Sequence, residues 1–241
     1  MERQNFIELL YKTFEENGMN DLLDDASAEL LYRFADLLVE TNKQTNLTAI
    51  TDEQGIILKH FVDSAAISRH IPQGSSVLDV GCGAGFPSVP LAIVRRDLAI
   101  TALDSTGKKI DFVLSAKKNL GLDNLAAVCA RAEEYIGQAR ESFDVCTSRA
   151  VARLNVLSEL CVPFVKVGGL FVAMKSDKGA EEAKEAEIGI KKLGAVPTKT
   201  FASRLACGDV AIEREIRIYK KSGLTPSQYP RKYSQILKKP L

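Results

Sequence analysis

The stretch Val77-Leu78-Asp79-Val80-Gly81-Cys82-Gly83-Ala84-Gly85-Phe86-Pro87 decides how the chain is read. Val77, Leu78 and Val80 make a short apolar run of the kind buried inside a parallel sheet. Gly81, Gly83 and Gly85 follow at a spacing of two. Glycine reaches positive φ and lets a ligand come close to the backbone. Pro87 suits the first turn of a helix, where its missing N–H costs nothing. The stretch therefore predicts strand, tight turn and helix, with helix N–H groups aimed at an anion or a polar ligand edge. A plain strand-to-helix connection has the same appearance, so the neighbouring segments must decide.

Downstream, short apolar runs alternate with helical patterns. Strands are predicted at Val77–Gly81, Ala99–Asp104, Ala126–Ala130, Asp144–Ser148 and Leu170–Lys175. Helices are predicted at Pro87–Val94, Lys108–Leu120, Asn155–Val165 and Lys178–Leu193. This alternation means βαβ units on a parallel sheet, an α/β fold. Val196–Ser203 and Ala211–Tyr219 have no helix between them and read as a closing antiparallel pair.

Upstream, residues 1–70 read as helical. Phe6, Leu9, Leu10 and Phe14 recur at helical spacing, as do Leu30, Leu31, Phe34, Leu37 and Leu38 behind cap candidates Asp25 and Ser27. Asn42–Thr48 is polar and predicts a loop. Thr51 and Gln54 resemble a capping box opening a third helix through Ile57, Phe61 and Ala65. The expected organisation is a helical extension over 1–72, a ligand-binding domain over 73–220 and a basic tail over 221–241.

The chain has 241 residues, 46% apolar, and a net charge of +1, so a global cationic excess is absent. The last 22 residues nevertheless carry six basic residues and no acidic one. Five cysteines lack any C-x-x-C spacing, which points to buried free thiols in a reducing compartment and to no metal site. No apolar run approaches the roughly 20 residues of a membrane span. The expectation is a soluble, cytoplasmic protein, a monomer, with no membrane partner.

The glycine turn can serve two ligand classes. A nicotinamide site wants Gly-x-Gly-x-x-Gly, and here Phe86 stands where the third glycine belongs. Gly-x-Gly-x-Gly with Asp79 two residues earlier instead resembles motif I of class I methyltransferases, which use S-adenosylmethionine. Asp79 can organise the turn and face the cationic end of that ligand. Asp104, 23 residues after Gly81, ends the second predicted strand, where a carboxylate accepts hydrogen bonds from a ribose diol. The run Arg131-Ala132-Glu133-Glu134 follows the third strand, where that class holds the adenine; Glu133 or Glu134 is the candidate acceptor. Around the fourth strand there is no [Asp/Asn]-Pro-Pro-aromatic motif for amino-group methylation, and Cys146 reads as core rather than nucleophile. An acceptor with a free lone pair, such as guanine N7, fits, with catalysis by proximity and orientation rather than by a general base. His60 reads as a helix-surface or capping residue.

Asn46-Leu47-Thr48, Lys59-His60-Phe61-Val62-Asp63-Ser64, the glycine turn, Leu103-Asp104-Ser105 with Lys108-Lys109, Thr147-Ser148-Arg149-Ala150-Val151-Ala152, Ala173-Met174-Lys175 and Tyr229-Pro230-Arg231-Lys232 occur in this order. Together they resemble the RsmG (GidB) family of bacterial 16S rRNA guanine-N7 methyltransferases over nearly the whole chain. The chain departs from the family pattern at Thr41, Ser176, Ser234 and Ile236.

The resemblance implies a class I methyltransferase fold, a Rossmann-like, seven-stranded, mostly parallel sheet flanked by helices with an N-terminal helical extension. It implies methylation of N7 of a guanine in the 530 loop of 16S rRNA in the 30S subunit. It implies cofactor contacts at Gly81, Phe86, Ala132, Glu133 and Arg149, to which Asp79, Gly83, Gly85 and Asp104 are added from the motif itself. Arg149 and Lys175 are the candidates for positioning and electrostatic roles in catalysis. Lys43, Lys59, Arg231, Lys232, Lys238 and Lys239 are the candidate RNA contacts, with Tyr229 and Tyr233 as stacking surfaces. A chain ending at Tyr219 is then expected to lose RNA affinity and keep cofactor binding. Open alternatives are a nicotinamide oxidoreductase, an RNA-binding assembly factor without turnover, and a methyltransferase for another substrate.

Overall fold

The computed structural model describes residues 2–149, 152–176 and 179–241. Ala150 and Val151 of the Arg149 segment, and Lys178 at the start of the predicted helix Lys178–Leu193, lie outside the described residues.

Three helical stretches open the chain. α1 (Arg3–Glu16) and α2 (Asp25–Thr45) are amphipathic and bury Phe6, Leu10, Phe14, Leu31, Phe34 and Leu38. The α2 N-cap is Asp24, whose carboxylate accepts from the Ser27 N–H, rather than Asp25 or Ser27. α2 also runs further than predicted, through most of the expected loop. It stops at Asn46 in the left-handed conformation, where the Asn42 side chain accepts from the Leu47 and Thr48 N–H groups. Polar residues on its last turn hid that turn from a reading based on apolar periodicity. α3 (Glu53–Ile56) continues through a π-helical segment (Ile57–Val62) into α4 (Asp63–Ala65). Its cap is Asp52, which accepts from Gly55 N–H, and not Thr51; Gln54 donates to the Cys207 carbonyl instead of reaching back.

The rest is one seven-stranded sheet. In chain order the elements are β1 (Ser76–Val80), α5 (Ser88–Val94), β2 (Ala99–Asp104), α6 (Gly107–Leu120), β3 (Leu125–Cys129), α7 (Ala132–Ala139), β4 (Phe143–Arg149), α8 (Leu154–Cys161), β5 (Val165–Lys175), α9 (Gly179–Lys192), β6 (Ala195–Cys207), β7 (Val210–Lys221) and α10 (Tyr233–Lys238). The strand order is β3-β2-β1-β4-β5-β7-β6. All pairs from β3 to β5 are parallel, and β7 inserts antiparallel between β5 and β6. The chain winds outward from β1 to β3, then returns to start the other half at β4. The crevice at that reversal, outside the carboxyl ends of β1 and β4, is where open α/β sheets bind ligands.

Two cores sandwich the sheet. One joins the N-terminal helices to α5, α6 and one sheet face; Phe34, Phe61, Phe86 and Phe112 meet there ring against ring. The other joins α7, α8, α9 and α10 to the opposite face. Cys82, Cys146, Cys161 and Cys207 are buried free thiols, whereas Cys129 is exposed. Among the described residues no helix is long and apolar enough to cross a membrane.

Residues 221–241 are basic in composition and densely attached. Lys221 is buried and paired with Glu141 at 2.7 Å, and Thr225 donates to the Glu141 carboxylate and to the Leu193 carbonyl. Ile236 is fully buried.

Candidate active site

A cavity of about 920 Å³ opens at the carboxyl ends of the parallel strands, near the top of the roughly 300–1,000 Å³ usual for small-molecule sites. Its lining runs from Leu47, just after α2, to Tyr233 near the C-terminus.

The glycine turn forms one wall. Gly81, Gly83 and Gly85 all have positive φ, at 76°, 59° and 87°. The Gly81 and Cys82 N–H groups bond back to the Leu103 carbonyl, which pins the turn to the end of β2. A Cβ placed on Gly83 meets no atom within 4 Å, so the backbone there faces open space. Gly85 differs: its Cβ would lie 2.5 Å from Val89 Cγ2, and Gly85 lies outside the cavity lining. Its smallness lets α5 sit against β1. Pro87, the predicted first residue of the helix, is instead the N-cap of α5, which starts one residue later at Ser88.

Asp79 lies beneath the turn rather than on the cavity wall. Its Oδ2 accepts from both the N–H and the hydroxyl of Ser88, while Oδ1 is buried without a partner. It therefore ties the first residue of α5 to β1 and does not face the cavity, which corrects half of its expected role. Burial raises its pKa to about 7, against the lowering effect of the Ser88 bonds.

Asp104 stands at the tip of β2 and lines the cavity. Oδ2 accepts from Gly83 N–H at 3.0 Å and Oδ1 from Thr106 N–H at 2.8 Å. Each oxygen keeps a second lone pair, so the carboxylate is aimed and still able to accept. Beyond β3, Ala130, Arg131, Ala132 and Glu133 line the next part of the wall at the N-terminus of α7. Of the pair left open by spacing, Glu133 lines the cavity and Glu134 does not.

The facing wall is made of side chains. Arg149, at the end of β4, donates through Nη1 to the Lys59 carbonyl at 2.7 Å and to Asp63 at 3.1 Å. Its Nη2 lies 3.3 Å from His60 Nδ1, and its guanidinium carbon sits 5.2 Å above the Phe86 ring. Buried Asp63 also accepts from Arg214 Nε at 2.8 Å, so one carboxylate is shared by two arginines. His60 stacks on Phe86 with centroids 4.1 Å apart and bonds to the Thr48 hydroxyl at 3.0 Å. Burial first, and the Arg149 charge next, lower its pKa to about 3, so the ring is neutral. His60 is thus a buried wall residue, not a surface or capping one. The π-helical turn carries it inward, and the Lys59–Ser64 run was its one trace in sequence.

Lys175 lines the cavity but is held by Glu182 at 2.6 Å and by the Ala152 carbonyl. Lys59 lines the cavity edge; Lys43 is exposed beside Glu40. Lys232, Lys238 and Lys239 are exposed. Arg231 is different from these lysines: Nε and Nη2 clasp both oxygens of fully buried Glu159 at 2.8 and 2.6 Å. Its guanidinium neutralises an interior charge, which corrects its expected role as a free phosphate contact. Tyr233 lines the cavity, so a chain ending at Tyr219 cannot keep this cavity intact.

Comparison with known proteins places this geometry. The family model described as "GidB: rRNA small subunit methyltransferase G" matches residues 27–207. Ribosomal RNA small subunit methyltransferase G of Staphylococcus haemolyticus is 45% identical over 240 residues, and that of Staphylococcus carnosus is 44% identical, each alignment covering 98% of both chains. Among solved structures, M. jannaschii TYW2 in complex with AdoMet superposes with a TM-score of 0.57 at 14% identity, covering 72% of this chain and 79% of the other. The Geobacter metallireducens precorrin-6y C5,15-methyltransferase superposes at 0.52 and 14% identity, covering 74% and 92%. At such identity the structural likeness speaks for the fold alone.

Proposed function

The chain belongs to the GidB family, the rRNA small subunit methyltransferases G, and from that premise we propose that its cavity transfers a methyl group to N7 of a guanine in the 530 loop of 16S rRNA. The protein is an S-adenosylmethionine-dependent rRNA methyltransferase. The finer reading places the substrate in the 30S subunit or its RNA, in the cytoplasm, with the enzyme working as a monomer.

The carrying observation is that one continuous cavity joins the Asp104 carboxylate, aimed by two backbone N–H groups, to the Arg149–His60–Phe86 wall. The residues fit the cofactor. Gly83 leaves open space for it beside Gly81, Asp104 keeps acceptor capacity for a ribose diol, and Ala132 N–H with Glu133 suits an adenine edge. S-adenosylmethionine supplies, when bound, an electrophilic methyl on a sulfonium. Arg149 lies near the glycine turn, against Phe86, and suits the cofactor carboxylate. Asp79 and Gly85 support the turn from behind.

Guanine N7 carries its lone pair in the neutral base, so the acceptor needs no proton removed. The protein's work is then to hold the base in line and to exclude water. Neutral His60 stacked on Phe86 offers a flat, uncharged surface for this, and Arg149 is held rigidly by Lys59 and Asp63. Lys175, fixed by Glu182 in a largely buried ion pair, serves to position the lining rather than to add net charge. Lys43, Lys59, Lys232, Lys238 and Lys239 supply phosphate contacts.

Labelled S-adenosylmethionine with 30S particles and with deproteinised small-subunit rRNA tests the reading. Label on N7 of a single guanine of the 530 loop is the expected result; label elsewhere, or none, refutes it.

A further inference from the structure

The segment after β7 reaches back to the cavity. It crosses the face formed by α7, α8 and α9, and is fastened at successive points. Arg140 donates to the Tyr229 carbonyl. Arg231 clasps Glu159 on α8, through its backbone N–H as well as its guanidinium, and also donates to the Lys239 carbonyl. Ile236 is buried in the core that holds Leu157 and Leu160. At the far end, a Cβ on Gly189 of α9 would lie 2.6 Å from Leu241, so the last residue packs directly on that helix.

These fastenings deliver one side chain to the cavity. Tyr233, the first residue of α10, lines it together with Leu160 and the Ala130–Glu133 run. The Arg131 guanidinium carbon lies 6.0 Å from the Tyr233 ring centroid, which places the ring beside the α7 N-terminus. On composition this stretch is a cationic tail; in the fold it is a strap whose anchor is an interior ion pair. Glu159 is fully buried, and Arg231 is the group that neutralises it. An unpaired carboxylate there would be strongly destabilising, so the strap has a strong reason to stay in place.

We propose that Tyr233 is a cofactor-positioning residue that covers the nucleoside end of the cavity, and that the Glu159–Arg231 pair is the latch that holds it there. This rests on the methyltransferase reading above. The aromatic ring supplies flat apolar surface against a purine, and the latch fixes the ring before the ligand arrives, which lowers the ordering cost of binding.

Calorimetric titration of the full chain with S-adenosylhomocysteine and with 5′-methylthioadenosine tests the proposal, on wild type, Tyr233→Phe, Tyr233→Leu and Tyr233→Ala. Tyr233→Phe should bind both ligands as wild type does. Tyr233→Ala should weaken both about tenfold, by equal factors, because both share the nucleoside. Tyr233→Leu keeps apolar bulk against Leu160, guarding the fold, and should lose nearly as much. Unchanged affinities in the Leu and Ala variants overturn the proposal, as does a loss confined to S-adenosylhomocysteine. Wild-type protein that binds neither ligand overturns the methyltransferase reading itself, and this proposal with it.

Discussion

The cavity has two walls of different material. In the wall made by the glycine turn, the tip of β2 and the start of α7, the left-handed backbone of the turn sets the shape, and all of it comes from residues 80–133. The facing wall presents side chains gathered from far apart: Thr48, His60, Phe86, Arg149 and Arg214. A backbone wall keeps its shape while its few conformational requirements are met. A side-chain wall depends on each member holding the next, as Asp63 holds both Arg149 and Arg214. The first therefore breaks by strain, and the second by loss of a partner.

The sharpest break is expected at Gly85→Ala. The residue has a φ of +87°, and the new methyl would press on Val89 and Val113. Left-handed strain and overpacking together cost about 2–4 kcal/mol. Calorimetry should show a melting point lower by roughly 5–15 °C; an unchanged value would mean that the backbone wall is as forgiving as its neighbour.

Arg149→Lys tests the side-chain wall. Lysine keeps the charge but not the fork that spans the Lys59 carbonyl, Asp63 and His60. Single-turnover methyl transfer to 30S particles should fall about 100-fold through misplacement. A rate within threefold of wild type would show that charge alone suffices.

His60 gives a pH signature. Its folded pKa is about 3, below the unfolded value of about 6.5. The unfolded chain therefore takes up a proton that the folded chain refuses, and stability is lost as pH falls from about 6.5 towards 3. By pH 5 this amounts to about 2 kcal/mol. His60→Phe should keep a ring on Phe86 and lose less stability than wild type between pH 7 and pH 5 in denaturant titrations. Parallel losses would place the histidine outside the wall.

The smallest effects belong to the exposed lysines. Lys43→Ala and Lys232→Ala should each lower the slope of log affinity for rRNA against log salt by roughly 0.7–0.9, with cofactor affinity untouched. An unaltered slope removes that lysine from the RNA contact.

The two walls also differ in how far they could be read from sequence. The glycine turn, Asp104 and the β/α alternation are local patterns, and their strands fall within a residue or two of expectation up to β4. β5 starts five residues earlier, at Val165, because the Gly168-Gly169 pair inside it reads as a break, and β6 runs four residues further, to Cys207, past Arg204. α7 was foreshadowed only by the acidic pair after Arg131, since eight residues with Gly137 inside give little periodicity. His60 was misplaced because a helical reading of α3 ignores the π-helical turn. Arg231 was misplaced because its partner, Glu159, lies 72 residues away. Charge composition reports how many cations a stretch has, not which are committed to the interior.

The span of the cavity lining has a temporal side. A ribosome releases the chain from its N-terminus, and most of the sheet can pair before the last segment emerges. Yet α1 cannot close on β6 until Ala206 and Cys207 are available to Asn17 and Thr13, and the cavity lacks part of its lining until Tyr233 is out. Nascent and prematurely ended chains therefore carry the glycine turn without a finished pocket. A methylating enzyme whose substrate is part of the machine that translates it would, on this architecture, become competent only once Tyr233 has left that machine.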